Sequence, residues 1–155
     1  MYENSEKQQT ILHELARVFT DIPFNKMLGL KLESLDASHV ALSFHNHPTL
    51  IGNYVQGILH GGVISAVLDM AGGMLVMANA AHKHTDRSLE EIAEVIGKCS
   101  TIDLQISYLN PGRGDKFIAK AELLKRGNTV SFTRMQLNNQ DDTLIATASA
   151  TYLLK

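Results

Sequence analysis

The chain has 155 residues, 45% of them hydrophobic and 19% charged, with a formal net charge of -2. That is one domain's length, with enough apolar residues for a real core. The near-neutral balance gives no electrostatic case for nucleic acid or an anionic membrane as partner. A single Cys, Cys99, excludes an internal disulfide framework and fits a reducing compartment. The polar N-terminus MYENSEKQQT does not read as a secretory signal, so a cytoplasmic location is expected.

Residues 5–19 read as an amphipathic helix, with Ile11, Leu12, Leu15, Val18 and Phe19 at helical spacing and Pro23 just beyond its end. Residues 28–46 read as two strands, LGLKLESLD and HVALSFH, parted by the polar step Asp36-Ala37-Ser38. An irregular connection through Pro48, Gly52 and Gly57 leads to His60. A helix from Gly61 to about Ala80 follows. Residues 82–98 form a polar insertion with a short surface helix, because Ser88 and Glu91 have capping-box spacing and Leu89, Ile92 and Ile96 share a face. The rest is β: TIDLQISYLN, with Ile102, Leu104, Ile106 and Tyr108 on one face, then FIAKAELLK, TVSFTRMQLN and TLIATASATYLL. PGRGD, Gly127-Asn128 and NQDD read as the turns of a mainly antiparallel meander.

The Gly61–Ala80 stretch is apolar nearly all round, so it must be enclosed. Four glycines, Ser65, Asp69 and Asn79 within it argue against a membrane span, and no Lys/Arg cluster flanks either end. A curved antiparallel sheet wrapped around this helix gives an α+β fold. One sheet face would still need cover, which points to a dimer.

Asp69 is the only charged residue in that stretch. An ionised carboxylate is costly to take out of water and is kept there when it is paired or has a task. Gly61 and Gly62, ahead of it, would leave bare N–H groups at a helix N-terminus, where the dipole favours negative charge. An oxyanion site and a carboxylate on one element point to acyl-transfer chemistry.

The segment HGGVISAVLD, with an Asp nine residues after the His, resembles the signature of hotdog-fold acyl-CoA thioesterases of the PaaI type. TIDLQISYLNPGRGD and the terminal SATYLLK are similar to strands and turns of that family. The whole pattern, from PFNKMLG through ILHGGVISAVLDMAGG to ATASATYL, most resembles the YigI branch, over about residues 22–155. The resemblance implies one hotdog thioesterase domain spanning 1–155, with a helical extension (1–21) and a helical insertion (82–98). It implies hydrolysis of medium- or long-chain acyl-CoA by a homodimer or a dimer of dimers, without cofactor.

The same resemblance assigns the oxyanion N–H to Gly62, with Gly61 shaping the turn, and the base or nucleophile to Asp69. Asp69 lies seven residues past Gly62, about 10 Å along a helix. That is too far for both to act on one carbonyl, so the site is expected to be shared, Gly62 from one subunit and Asp69 from the other. Thr101 stands where relatives carry a Ser or Thr near the carboxylate. Relatives also carry an Asn six residues before the signature His. Here that position is Tyr54, Asn53 lies one residue earlier, and Gln56 is a nearby substitute. His60 is read as shaping the loop through a backbone hydrogen bond. Arg113, Lys125, Arg126 and Gly127 are the loop candidates for holding CoA phosphates, and Met70, Met74 and Met77 could line an acyl tunnel.

Two other readings stay open: a hotdog enoyl-CoA hydratase or dehydratase, and a non-catalytic acyl-CoA sensor. There is no G-x-S-x-G elbow, G-x-G-x-x-G or Walker A pattern. The pairs His45/His47 and His82/His84 have no Cys or nearby carboxylate to complete a typical ligand set, so no metal is assigned. Cys99, ahead of a strand, reads as packed and inert.

Overall fold

The computed structural model describes residues 2–84 and 86–154; Thr85, inside the predicted insertion, lies outside them. The chain begins with a long helix, α1 (Tyr2–Asp21), which buries Ile11, Leu15 and Phe19 at i, i+4, i+8. Val18, grouped with them on sequence spacing, is 53% exposed and sits on the rim of that stripe. A second, short helix, α2 (Pro23–Leu28), was not foreseen. Pro23 starts it rather than merely following α1, since its missing N–H is no loss in a first turn. Gly29 ends it in a left-handed conformation, φ 66°.

Strands β1 (Lys31–Leu35) and β2 (His39–His45) follow, joined at the Asp36 turn, where the carboxylate accepts from the Ser38 and His39 N–H groups. The connection to His60 is more ordered than its glycines suggest. A 3-10 turn (Pro48–Leu50) leads into a small hairpin, β3 (Ile51–Asn53) with β4 (Ile58–Leu59). Helix α3 (Gly61–Lys83) runs unbroken for 23 residues. Helix α4 (Leu89–Gly97) carries the expected capping box, Ser88 and Glu91 each bonding the other's backbone N–H.

The last four strands are β5 (Ser100–Tyr108), β6 (Lys116–Arg126), β7 (Val130–Asn139) and β8 (Leu144–Leu153). The main sheet is antiparallel with order β1-β2-β6-β7-β8-β5. Only β6, β7 and β8 form a meander. The segment read as a PGRGD turn is instead a crossing, because β5 pairs with β8 at the far edge. Residues 109–115 cover the three strand spacings back to β6, about 14 Å at ~4.8 Å each. The crossing is tied down on both sides: Leu109 and Asn110 N–H groups donate to the Ile145 carbonyl, and Asn139 Nδ2 donates to the Arg113 carbonyl.

Helix α3 packs on the inner face of this sheet, against β2, β5, β6, β7 and β8, with α1 and α4 over its other side. It is long and apolar enough to cross a membrane, yet here it is the enclosed core helix. Its buried Leu68, Met74 and Leu75 meet Phe44, Phe117, Met135 and Leu137 from the strands. Strand β8 turns Ala146, Ala148 and Ala150 inward, so the helix lies close to it.

The outer face corrects one expectation. Its centre carries Lys120, Glu122, Arg134, Gln136, Ser149 and Gln105, with Arg134 paired to Glu122 at 3.5 Å, and its exposed apolar residues, Leu124 and Phe132, lie toward the β6–β7 turn, so the face is mainly polar. The opening lies elsewhere, along the free edge of β5, where Ile102 and Tyr108 are each more than half exposed. A register shift between Thr101 and Asp103 also takes Ile102 out of line with Leu104 and Ile106, which do pack inward.

Candidate active site

Asp69 lies midway along α3 and is half-buried. Thr101, near the start of β5, donates its hydroxyl to Asp69 Oδ1 at 2.9 Å. The Tyr152 hydroxyl, from the end of β8, lies 3.0 Å from the same oxygen and 2.8 Å from the Asp69 carbonyl. The bulge at Ile102 sets where Thr101 points, and strand alternation turns Tyr152 toward the helix. Both side-chain bonds fall on Oδ1, so Oδ2 keeps its lone pairs for a water or a substrate carbon.

Tyr152 is 1% exposed. Burial, then the Asp69 charge, pushes its phenol far above the ordinary tyrosine value, so it stays a neutral donor. It fits only because residue 72 is glycine: a Cβ there would stand 2.3 Å from the Tyr152 oxygen. The sequence reading missed this residue. The signal was an inward run of alanines ending in one bulky residue, opposite paired glycines on the helix.

Asp69, Thr101 and Tyr152 lie on the wall of a cavity of about 260 Å³. Its apolar lining comes from Met70, Met74 and Met77 of α3, with Phe19, Ile22 and Phe24 at the α1–α2 junction. The three methionines named from sequence therefore meet at one surface beside the carboxylate. Cys99 lines the same cavity, and burial together with Asp69 pushes its thiol up to about 11. It is a neutral thiol at ordinary pH rather than a nucleophile.

The glycine pair sits at the other end of the same helix stretch. His60 caps α3, and its ring Nδ1 accepts from the Gly62 N–H at 2.8 Å. The Gly62 N–H is thus not bare, as the sequence suggested: the side chain two residues back satisfies it, as N-cap residues do. A carbonyl oxygen arriving there must displace the imidazole nitrogen as the acceptor of that N–H. The Gly61 carbonyl accepts from the Tyr108 hydroxyl at 3.1 Å, which ties the helix start to the β5 edge. Because α3 is unbroken from 61 to 83, the separation of about 10 Å between Gly62 and Asp69 holds within one protomer.

The remaining candidates fall into two groups. Asn53 Oδ1 accepts from the Gln56 N–H at 3.2 Å and shapes the β3–β4 turn. Arg113 donates from Nη1 to the Gln56 carbonyl at 2.6 Å and from Nη2 to its side-chain oxygen at 3.1 Å. The structure thus joins Asn53, Gln56 and Arg113 into one hairpin-and-crossing unit, away from the Asp69 cavity. Arg126 instead donates to Asn79 Oδ1 at 2.7 Å and to the Asn79 carbonyl at 3.1 Å, near the C-terminal end of α3. Lys125 and Gly127 flank it, and the Gly127 N–H closes the β6–β7 turn on the Val130 carbonyl at 2.7 Å. Asn79 lies 17 residues beyond Gly62 on α3, about 25 Å along the axis. In the protomer the Lys125–Gly127 group and Gly62 do not converge, and Arg126 braces the helix end. Of the H-x-H pairs, His47 bonds its neighbour Thr49, and His82 bonds Gln8 of α1.

Residues 56–146 match the thioesterase superfamily. The chain is 42% identical over 133 residues to the medium/long-chain acyl-CoA thioesterase YigI of Salmonella typhimurium, covering 86% of each. A crystal structure from Shewanella oneidensis, described as related to the thioesterase superfamily, matches with TM-score 0.90 at 38% identity, over 96% of this chain and 97% of that one. The Escherichia coli PaaI protein shares the fold, with TM-score 0.75 at 16% identity over 97% of this chain and 95% of its own. With a family match over that span and a relative at 42% identity across most of its length, the chain belongs to the thioesterase superfamily and has the hotdog fold.

Proposed function

We propose that this protein hydrolyses acyl-CoA thioesters with medium or long acyl chains, using Asp69 as the reactive carboxylate. The observation that carries the reading is Asp69 Oδ1, held by Thr101 and Tyr152 on the wall of an apolar cavity. As base, Asp69 takes a proton from water while the water oxygen bonds to the thioester carbon; as nucleophile, its own oxygen does so. Either role needs it ionised. Negative charge then gathers on the thioester oxygen and is met by the Gly62 N–H at the helix N-terminus. The C–S bond breaks, and the CoA sulfur leaves with the proton that Asp69 took from water; in the nucleophilic course the acyl group is first left on Asp69 as an anhydride, which water hydrolyses to the fatty acid, giving up that proton.

One protomer cannot bring Gly62 and Asp69 to the same carbon, so the site takes Gly62 from one subunit and Asp69 from its partner. The free β5 edge, with Tyr108 bonded to Gly61, supports pairing through that edge. The test is release of free CoA thiol from short, medium, long and aryl acyl-CoAs, with Asp69→Asn beside the wild type. Release strongest with medium or long chains, and lost in the variant, is expected. Binding without turnover would favour a sensor, and hydration of an enoyl-CoA would favour the hydratase.

A further inference from the structure

A second apolar space lies outside the site described above. It is a groove of about 430 Å³ between α1 and α4. Ile11, Leu15 and Val18 form one wall, and Leu89, Ile92 and Ile96 form the other. Val18 and Leu89 stay 53% and 51% exposed, so the two helices do not close on each other. The charged group on the groove lining, Glu14, is bonded to Arg17 at 3.1 Å.

We infer that this groove receives the distal part of a long acyl chain whose thioester lies at Asp69. The inference rests on the acyl-CoA reading and extends it to chain length. The groove and the Asp69 cavity have no lining residue in common, but they adjoin on both sides. On α1 the apolar stripe Ile11, Leu15, Val18 continues as Phe19 and Ile22, which line the cavity. On the other side, Ile96 and Gly97 line the groove and Cys99, two residues on, lines the cavity. The barrier between them is side chain, Leu15 and Phe19 on α1 against Ile96 and Cys99.

Size and chemistry select the occupant. The cavity of about 260 Å³ is small beside the roughly 300–1,000 Å³ of ordinary ligand sites, whereas cavity and groove together fall inside that range. From Ile11 to Val18 the groove runs about 10 Å. An extended chain covers about 1.2 Å per bond, since three backbone bonds span roughly 3.3–3.6 Å, so about eight methylenes fit. An extended peptide would need main-chain hydrogen-bond partners, which the apolar walls do not offer; a hydrocarbon needs none.

The experiment compares kcat/KM for hexadecanoyl-CoA and octanoyl-CoA in wild type, Ala93→Trp, Leu89→Asp and Glu94→Trp. Ala93 and Leu89 line the groove; Glu94 is exposed on the same helix outside it. The expected result is a hexadecanoyl-to-octanoyl ratio lowered about tenfold by Ala93→Trp and by Leu89→Asp, and held by Glu94→Trp. A ratio unchanged in both groove variants overturns the inference, including the case where sedimentation shows a second copy of the chain seated there. An equal fall in Glu94→Trp also overturns it, because the effect would then belong to α4 as a whole. Wild-type protein that releases thiol from neither substrate overturns the thioesterase reading itself, a result distinct from an unchanged ratio.

Discussion

The Tyr152 hydroxyl has one proton and two acceptors, Asp69 Oδ1 at 3.0 Å and the Asp69 carbonyl at 2.8 Å. Given to Oδ1, it leaves the carboxylate with two donors; given to the carbonyl, it leaves Thr101 alone. Hydrogen bonds to charged groups contribute about 1.5–3 kcal/mol, so Tyr152→Phe is expected to lower kcat about ten- to hundredfold, with KM little changed. Steady-state kinetics on the variant would show this as a fall in kcat at nearly constant KM. Asp69→Asn removes the reactive group and should cost about 10²–10⁴-fold, the usual range for a general base. Cys99 gives a further readout. With its thiol at about 11, alkylation at pH 8 should be slow and should quicken as pH approaches 11. Asp69 raises that value, so Asp69→Asn should lower it and speed alkylation at pH 8, as mass spectrometry would report.

At the scale of elements, the closest fit is between α3 and β8. Gly72 would be a poor choice in an exposed helix, about 1 kcal/mol worse than alanine. Here its missing Cβ admits Tyr152. Gly72→Ala is expected to destabilise by about 1–3 kcal/mol through overpacking. It should also lower activity by displacing the phenol, which thermal unfolding and turnover would separate. Most elements were legible in the sequence because their apolar spacing is strong: α1, α3, the capped α4 and the four C-terminal strands. The hairpin at 51–59 and helix α2 were not. Both are short, and their form comes from contacts made elsewhere, such as the Leu59 N–H donating to the Gly112 carbonyl. The crossing at 109–115 was misread for a related reason. PGRGD has turn composition, but which strand β5 pairs with is decided by the sheet.

At the scale of the whole molecule, α3 holds Gly62 and Asp69 apart, and the proposed mechanism therefore places its site between two chains. Gly62→Pro removes the N–H in the first helical turn, where proline is tolerated. Mixed with Asp69→Ala, it should regain about a quarter of wild-type activity, because half the dimers are mixed and each has one intact site. Turnover after refolding the two inactive variants together would measure this; no recovery would place both groups in one protomer.

The sequence by itself determined the fold class, the reactive carboxylate and the oxyanion glycine as candidates. Hydrophobic period and a charged residue in an apolar helix are local signals, present before any packing. The tertiary structure decided what touches Asp69. Thr101 lies 32 residues away and Tyr152 lies 83 away, and only strand pairing brings them to one oxygen. Whereas the backbone bond of His60 at the helix start was read from the sequence, the tertiary structure also decided that Arg126 braces Asn79 instead of meeting Gly62. Each of these depends on side-chain direction in space, which spacing along a chain does not encode.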